Sequence, residues 1–505
     1  MNEKRGQWGS RMGFVIAAIG SAIGLGNIWR FPYVAASNGG GAFLIPYLFA
    51  LLTAGIPILI LEFAVAHKIK RSTPGVFGRI SKKMELLGWF QTAISFGIVI
   101  YYTAIIGWTI NYVLYAFKGQ WGQDTESFFF NDFLNISDHP LNIGGINTKM
   151  LVALALVWLV NYIVLMGGIK AGIEKANKIF MPLLVICLLV ITARGLTLDG
   201  AAQGLDYFFK PEFTKLKDPT VWIAAYGQIF YSLSICFGIM ITYASYLPEK
   251  TDLVNNAFLT GLGNCSFSIL SGIAVFSVLG YMATSQGIPV SEVSTGGIGL
   301  AFVVFPTAIN ALPNMNALMG ALFFSCLIFA GFSSSMSILE VIVSGFADKF
   351  ESSRKKILTI TCLVGFIFSF LFVTDAGLYF LDIIDHFINI YAIAIAGLIE
   401  IIFLSWYLNL EDVRQYANGM SDFSVGKWWN LSLKYLTPIV LSIMFVFNTV
   451  IDLTQGYEDY DLKSLLAIGG STMAFILVMA LVLNHFKGQP TYHSSIGKGV
   501  DLSEY

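Results

Sequence analysis

Residues 20–27 read Gly20-Ser21-Ala22-Ile23-Gly24-Leu25-Gly26-Asn27: three glycines, a serine and an asparagine inside an otherwise apolar run bounded by Arg11 and Arg30. That run is long enough for a helix to cross the hydrocarbon core of a bilayer. A helix in hydrocarbon releases its backbone hydrogen bonds only where protein or a lined cavity satisfies them. A break here points to a cavity at mid-membrane, unless the small residues, with Gly20 and Gly24 on one face, only let two helices pack closely. A second stretch of the same kind, Ser232-Leu233-Ser234-Ile235-Cys236-Phe237-Gly238, favours the cavity. It falls five helices further on, where an inverted five-helix repeat places the counterpart of the first. Paired broken helices are the best sequence pointer to a midplane substrate site.

The rest of the chain fits a membrane setting. Of 505 residues, 56% are hydrophobic and 12% charged, and the mean hydropathy is +0.71. This excludes an ordinary soluble protein and a disordered one. The 30 basic and 31 acidic residues nearly cancel, so no global field recruits nucleic acid. Cys187, Cys236, Cys265, Cys326 and Cys362 all sit in apolar stretches and read as small core residues. Apolar runs recur so that the fold class is all-α, an integral membrane protein of twelve spans. The shortest is 179–193, between Lys178 and Arg194. The expected organisation is an N-terminal segment (1–10), a first repeat of helices 1–5 (11–195) and a second of helices 6–10 (221–408). Helices 11 and 12 (427–486) and a polar tail (487–505) follow. With both termini cytoplasmic, the inner loops collect most of the Lys and Arg, including Lys68, Lys70, Arg71, Arg79, Lys82, Lys83, Arg354, Lys355 and Lys356. The first apolar run continues into the body of the protein and does not read as a cleavable signal.

Longer motifs carry a family resemblance. Trp8, Gly24-Leu25-Gly26-Asn27, Arg30-Phe31-Pro32-Tyr33, Asn38-Gly39-Gly40-Gly41-Ala42-Phe43 and Ile45-Pro46-Tyr47 resemble the first two helices of the neurotransmitter:sodium symporters. Gln228-Ile229-Phe230-Tyr231-Ser232-Leu233-Ser234 and Ala330-Gly331-Phe332-Ser333-Ser334-Ser335 extend the resemblance over essentially the whole chain. Within that family the chain resembles the bacterial leucine-transporter-type amino acid carriers. The resemblance implies two sodium ions. One takes Ala22, Asn27, Ser232 and Asn264. The other takes the carbonyls of Gly20, Ile23 and Ala330 with the hydroxyls of Ser333 and Ser334.

In the amine-carrying branch an aspartate stands at the Gly24 position. Its absence here implies a substrate with its own carboxylate, bound near Leu25, Gly26 and the Tyr102 hydroxyl. Its amine would face carbonyls of Ala22, Tyr231 and Ser234, with Ser21 and Ser334 nearby. Its side chain would meet Ile98, Tyr231, Phe237 and Ile338, a pocket suited to a neutral, hydrophobic amino acid. Cys236 replaces a glycine common in relatives, and its side chain is expected at the pocket floor.

Bacterial relatives commonly carry a carboxylate one turn after Asn264, whereas animal relatives have serine there and bind chloride. Ser268, with Tyr47, Gln228, Ser232 and Asn264, matches the chloride type. Arg30 and Asp385 resemble an outer gate, with Tyr102 and Phe237 as its lid. Arg5 and Asp348 resemble an inner latch, assisted by Trp8, Ser245 and Tyr246. Glu62 reads as a brace for broken helix 6, and Glu340 and Glu400 as neutral groups bonding neighbouring helices. The expected function is sodium-coupled, chloride-dependent symport of neutral amino acids by alternating access, in a prokaryotic inner membrane. No nucleophile–base constellation or nucleotide loop suggests an enzyme. An amino-acid sensor or ligand-gated channel on this fold, or a chloride-independent symporter, stays open as an alternative, as does the oligomeric state.

Overall fold

A computed structural model describes residues 6–488, apart from Thr295 and Glu351. The principal helices are α1 (Arg11–Ala22), α2 (Leu25–Ser37), α3 (Gly40–Ile69), α4 (Lys82–Lys118), α5 (Thr148–Met166) and α6 (Gly168–Leu196). After these come α7 (Pro219–Ser232) and α8 (Ile239–Ala244), then α9 (Leu253–Gln286) and the shorter apolar α10 (Gly297–Ala311). The series ends with α11 (Asn316–Lys349), α12 (Arg354–Val373), α13 (Gly377–Tyr407), α14 (Trp428–Gln455) and α15 (Leu462–His485).

Among the described residues, 10 helices are long and apolar enough to span a membrane, and α1 with α2 forms one further span bent by 59°. The protein is therefore a multi-pass membrane protein. The pair α7 and α8, where the sequence places a sixth span, is interrupted over residues 233–238, and its 14-residue and 6-residue pieces are each too short to cross alone. The fifth expected span is longer than its charge-free stretch. α6 takes in Lys170, Lys175 and Lys178, with Lys178 neutralised by Glu174 at 2.7 Å.

α4 and α11 run side by side through the centre, and 89% of each apolar window is buried. In α14 and α15 the buried share falls to 17% and 22%, so these helices present apolar side chains to the outside, as lipid contact requires. The core thus lies around α4 and α11, and the two broken helices face each other beside it. Ser234 in the second break donates to the Ser21 carbonyl at 3.0 Å, and Gly26 packs directly against the Tyr231 ring.

Candidate functional site

The first break follows from where backbone hydrogen bonds go. Ile23 and Gly24 leave helical geometry for extended backbone (ψ 93° and −171°). Continued helix would send the Gly24 N–H to the Gly20 carbonyl. It donates instead to Asn27 Oδ1 at 3.0 Å, which leaves that carbonyl outside the helical ladder. The Leu25 amide donates to the Tyr102 hydroxyl oxygen at 3.3 Å, and Ser334 donates to the Ser21 and Ile23 carbonyls at 3.2 and 3.4 Å.

The second break is held from three directions. Ser234 (φ 54°), Cys236 (φ 67°) and Gly238 (φ 92°) all adopt left-handed backbone, which costs about 1–3 kcal/mol for each of the two residues with a side chain. Glu62 accepts the Cys236 N–H at 2.7 Å, Ser95 donates to the Phe237 carbonyl at 2.9 Å, and Thr73 donates to the Gly238 carbonyl at 3.0 Å. These bonds supply what the lost helix would have provided. Cys236 does not line the cavity, contrary to its expected place at the floor. Its Sγ lies against Gly397 of α13, where a Cβ would come within 3.1 Å of it.

Between the breaks lies a cavity of about 800 Å³. Ser21, Ala22, Leu25, Gly26, Ile98, Tyr102, Tyr231, Ser234, Phe237, Ser334 and Ile338, the residues expected to bind substrate, all line it. The charged residues that line it are Arg30, Asp382, Asp385 and Glu458. Among the described residues no ion pair joins Arg30 to Asp385, so the expected bridge across the vestibule is not made. Arg30 lies 4.5 Å over the Tyr231 ring, while Asp385 accepts from Tyr101 at 2.6 Å and Asn389 at 2.8 Å. Both residues line the cavity.

A polar cluster adjoins the first break. Asn27 Nδ2 donates to Asn264 Oδ1 and to Ser268 Oγ, both at 2.8 Å, and Asn264 Nδ2 donates to Ser232 Oγ at 2.9 Å. Beside it, the Tyr47 hydroxyl and both amide atoms of Gln228 are buried without a hydrogen-bond partner. Orphaned buried donors are rare and need an explanation. Across the break, Ser333 donates to Asn177 Oδ1 at 2.5 Å, and a side chain at position 20 would collide with Ser333, Asn177 and Met181. Ala330 is fully buried on the same helix.

At the opposite end the structure is shut. Trp8 donates from its indole to the Tyr243 carbonyl at 2.8 Å and from its amide to the Tyr246 carbonyl at 3.2 Å. Tyr246 donates to Glu340 at 2.7 Å, and Arg354 holds both oxygens of Glu340 at 2.8 and 2.5 Å. Glu340 is thus half of an ion pair, not the neutral group the sequence suggests; its partner lies 14 residues later, at the start of α12. Asp348 accepts the Ser72 amide at 2.5 Å, whereas Arg5 lies outside the described residues. Arg11 reaches Asp252 at 3.2 Å. Burial pushes the Asp252 carboxyl up, but the Asn255 and Asp422 amides, the Ser421 hydroxyl and Arg11 outweigh this and hold it below its ordinary value. The pair therefore persists at neutral pH and is lost only as acid protonates the carboxylate.

Sequence reasoning missed several residues of the site. Tyr101, which anchors Asp385, stands next to Tyr102 with no signal of its own. Asn389 lies one turn after Asp385, and Asn177 is a lone amide on apolar α6; both were findable as polar residues inside spans. Asp382, held by Tyr457 and Tyr460 at 3.0 Å each, brings a loop far along the chain to the cavity mouth.

The model of the sodium:neurotransmitter symporter family matches residues 5–125 and 121–487. A protein described as an uncharacterized sodium-dependent transporter of Methanocaldococcus jannaschii is 43% identical over 484 residues, covering 96% of this chain and 98% of the relative. The sodium- and chloride-dependent neutral and basic amino acid transporter B(0+) of Mus musculus is 31% identical, covering 89% of this chain and 80% of its own length. The sodium- and chloride-dependent GABA transporter 2 of Rattus norvegicus is 30% identical, covering 88% and 80%.

Proposed function

Because this chain belongs to the sodium:neurotransmitter symporter family and is a sodium-dependent transporter, not an enzyme, we propose that it carries neutral, hydrophobic amino acids together with sodium. The observation that carries this reading is the cavity between the two breaks, lined at Gly24 by no acidic side chain and around it by Ile98, Phe237 and Ile338. A substrate held there brings both charges itself. Its carboxylate meets the Tyr102 hydroxyl and the α2 amide of Gly26, and its amine meets carbonyls released at the breaks. α7 and α8 then count together as the twelfth span, and the repeats run over 11–195 and 221–408. The excess of basic residues in alternate loops supports cytoplasmic termini, and with that orientation the cavity faces outward.

Two sodium sites fit the residues present. Sodium is hard and takes oxygen; the Gly20 carbonyl is freed by the bond from Gly24 to Asn27, the Gly20 α-carbon packs close to the Ser333 side chain, and Ser334 donates to the Ile23 carbonyl. Ala22, Asn27, Ser232 and Asn264 form the second set, next to the substrate carboxylate. Chloride fits the unpartnered Tyr47 hydroxyl and Gln228 amide with Ser232 and Ser268, and supplies a negative charge beside buried sodium. Sodium and substrate favour closure of Arg30 toward Asp385. Opening of the Trp8, Tyr246, Glu340 and Arg354 contacts then exposes the same site inward.

The direct test is equilibrium binding of radiolabelled neutral amino acids to the purified protein. Saturable binding that needs sodium supports the reading, and sodium-independent binding or none overturns it. The pocket also predicts that Gly26→Ala, whose methyl would enter the Tyr231 ring, weakens substrate affinity about tenfold or more, an overpacking cost of about 1–3 kcal/mol. Titrating that variant with labelled substrate checks it.

A further inference from the structure

Glu62 on α3 and Glu400 on α13 meet behind the second break, outside the cavity. With Cys236 Sγ, their facing atoms all lie within 4.8 Å of one another, and all three residues are fully buried. Glu62 Oε1 accepts the Cys236 N–H at 2.7 Å, and Glu400 Oε2 accepts from Gln91 Nε2 at 2.5 Å. Their other oxygens, Glu62 Oε2 and Glu400 Oε1, have no hydrogen-bond partner among the described residues, and neither does Gln91 Oε1. The chain Cys236–Glu62–Glu400–Gln91 would be continuous if one proton stood between the carboxylates.

Charge balance asks for that proton. Two ionised carboxylates this close, and out of water, repel strongly unless a cation or a shared proton intervenes. Among the described residues, no ion pair reaches Glu62 or Glu400. On α3 the nearest basic groups are His67 and Lys68, more than a turn away; His67 is engaged by Tyr416 and Pro248, and Lys68 lies over the Tyr416 ring. α4 presents Gln91, and its Glu85 is paired with Lys349. α8 presents Tyr243, bonded to Ser337, and the break itself presents the Cys236 thiol.

We propose that Glu62 and Glu400 share a single proton, and that this proton is a ligand of the conformation seen here, locking the break between α7 and α8 to α3, α13 and α4. Its role in transport rests on the reading that this break lines the substrate site; its presence does not. Loss of the proton leaves two facing charges and pulls Glu62 from the Cys236 amide. The sign follows. The proton favours the substrate-binding conformation, so binding is intact at lower pH and weakens as rising pH removes it, by up to about tenfold per pH unit for one proton.

The test combines infrared detection of a protonated carboxyl in the purified protein with sodium-dependent substrate binding across neutral to alkaline pH. The wild type should show a protonated carboxyl at neutral pH that is absent in Glu400→Gln and in Glu62→Gln. Its binding should fall with the slope of one proton, and Glu400→Gln should flatten that fall. Gln91→Met, which removes the donor that favours ionised Glu400, should move the fall to higher pH and serves if the glutamine variants fold poorly. A carboxyl band unchanged in both Glu variants would overturn the proposal, as would an alkaline slope unaffected by Glu400→Gln. So would one tightly bound divalent metal per chain that is lost in Cys236→Ser, since a cation would then hold the pair. The infrared arm needs no substrate, so its failure is distinct from failure of the amino-acid reading.

Discussion

Asn27→Ala is expected to abolish sodium-driven accumulation. The Asn27 side chain accepts the Gly24 amide and donates to Asn264 and Ser268, so it both sets the break and joins α2 to α9. Removing it returns the Gly24 N–H toward the Gly20 carbonyl and so closes one proposed ion site while stripping a ligand from the other. Two buried acceptors also lose their donor, at about 1–3 kcal/mol each, which together corresponds to a loss of about 30-fold or more in affinity. Asn27→Asp keeps an acceptor for Gly24 but no donor for Asn264 and Ser268, and should retain more sodium affinity than alanine. Sodium titration of substrate binding in both variants checks the order; equal loss would place the effect in folding, which thermal unfolding of each variant reads separately.

Ser268→Glu is expected to remove the chloride requirement. Ser268 sits one turn after Asn264, donates to its carbonyl at 3.1 Å and receives a hydrogen from Asn27, so a carboxylate there lies within the ion cluster. It would replace a mobile anion with a fixed one in a region where buried sodium needs a counter-charge. Wild-type uptake should collapse when chloride is exchanged for gluconate, whereas the glutamate variant should keep most of its rate. Tyr47→Phe, which deletes one orphaned hydroxyl, should raise the chloride concentration needed for half-maximal uptake about tenfold, the order expected for one hydrogen bond to an anion. Wild-type uptake indifferent to chloride would leave the sodium reading intact and remove the anion from it.

Both breaks were legible because glycine and small polar residues stand out in an apolar run, and because backbone released there must be lined. What holds them open was legible only in part. Glu62 stands out as the brace of the second break, but Ser95 and Thr73 serve it from 142 and 165 residues away, and only the packed structure brings them there. Cys236 shows the same gap. The sequence marks it as an intrusion into the pocket, but its left-handed backbone turns the thiol toward Gly397, whose missing side chain makes the room. Arg354 escaped notice as the partner of Glu340 because a loop-end arginine reads as part of the positive inner face. Asp385 was placed on the vestibule by resemblance, yet Tyr101 and Asn389, which hold it while Arg30 rests on Tyr231, carry no pattern beyond being polar in a span. Helix length misled at α6, where pairing of Lys178 with Glu174 lets charged residues continue the helix.

The central claim is that the cavity between the breaks couples amino-acid movement to sodium. It is tested most directly by uptake of a panel of radiolabelled amino acids into proteoliposomes under an imposed inward sodium gradient, with ionophore collapse of that gradient as control. The account predicts concentrative uptake of neutral, hydrophobic amino acids that vanishes when the gradient is collapsed or sodium is replaced. Accumulation of none of them, or flux that continues downhill without sodium, would contradict it.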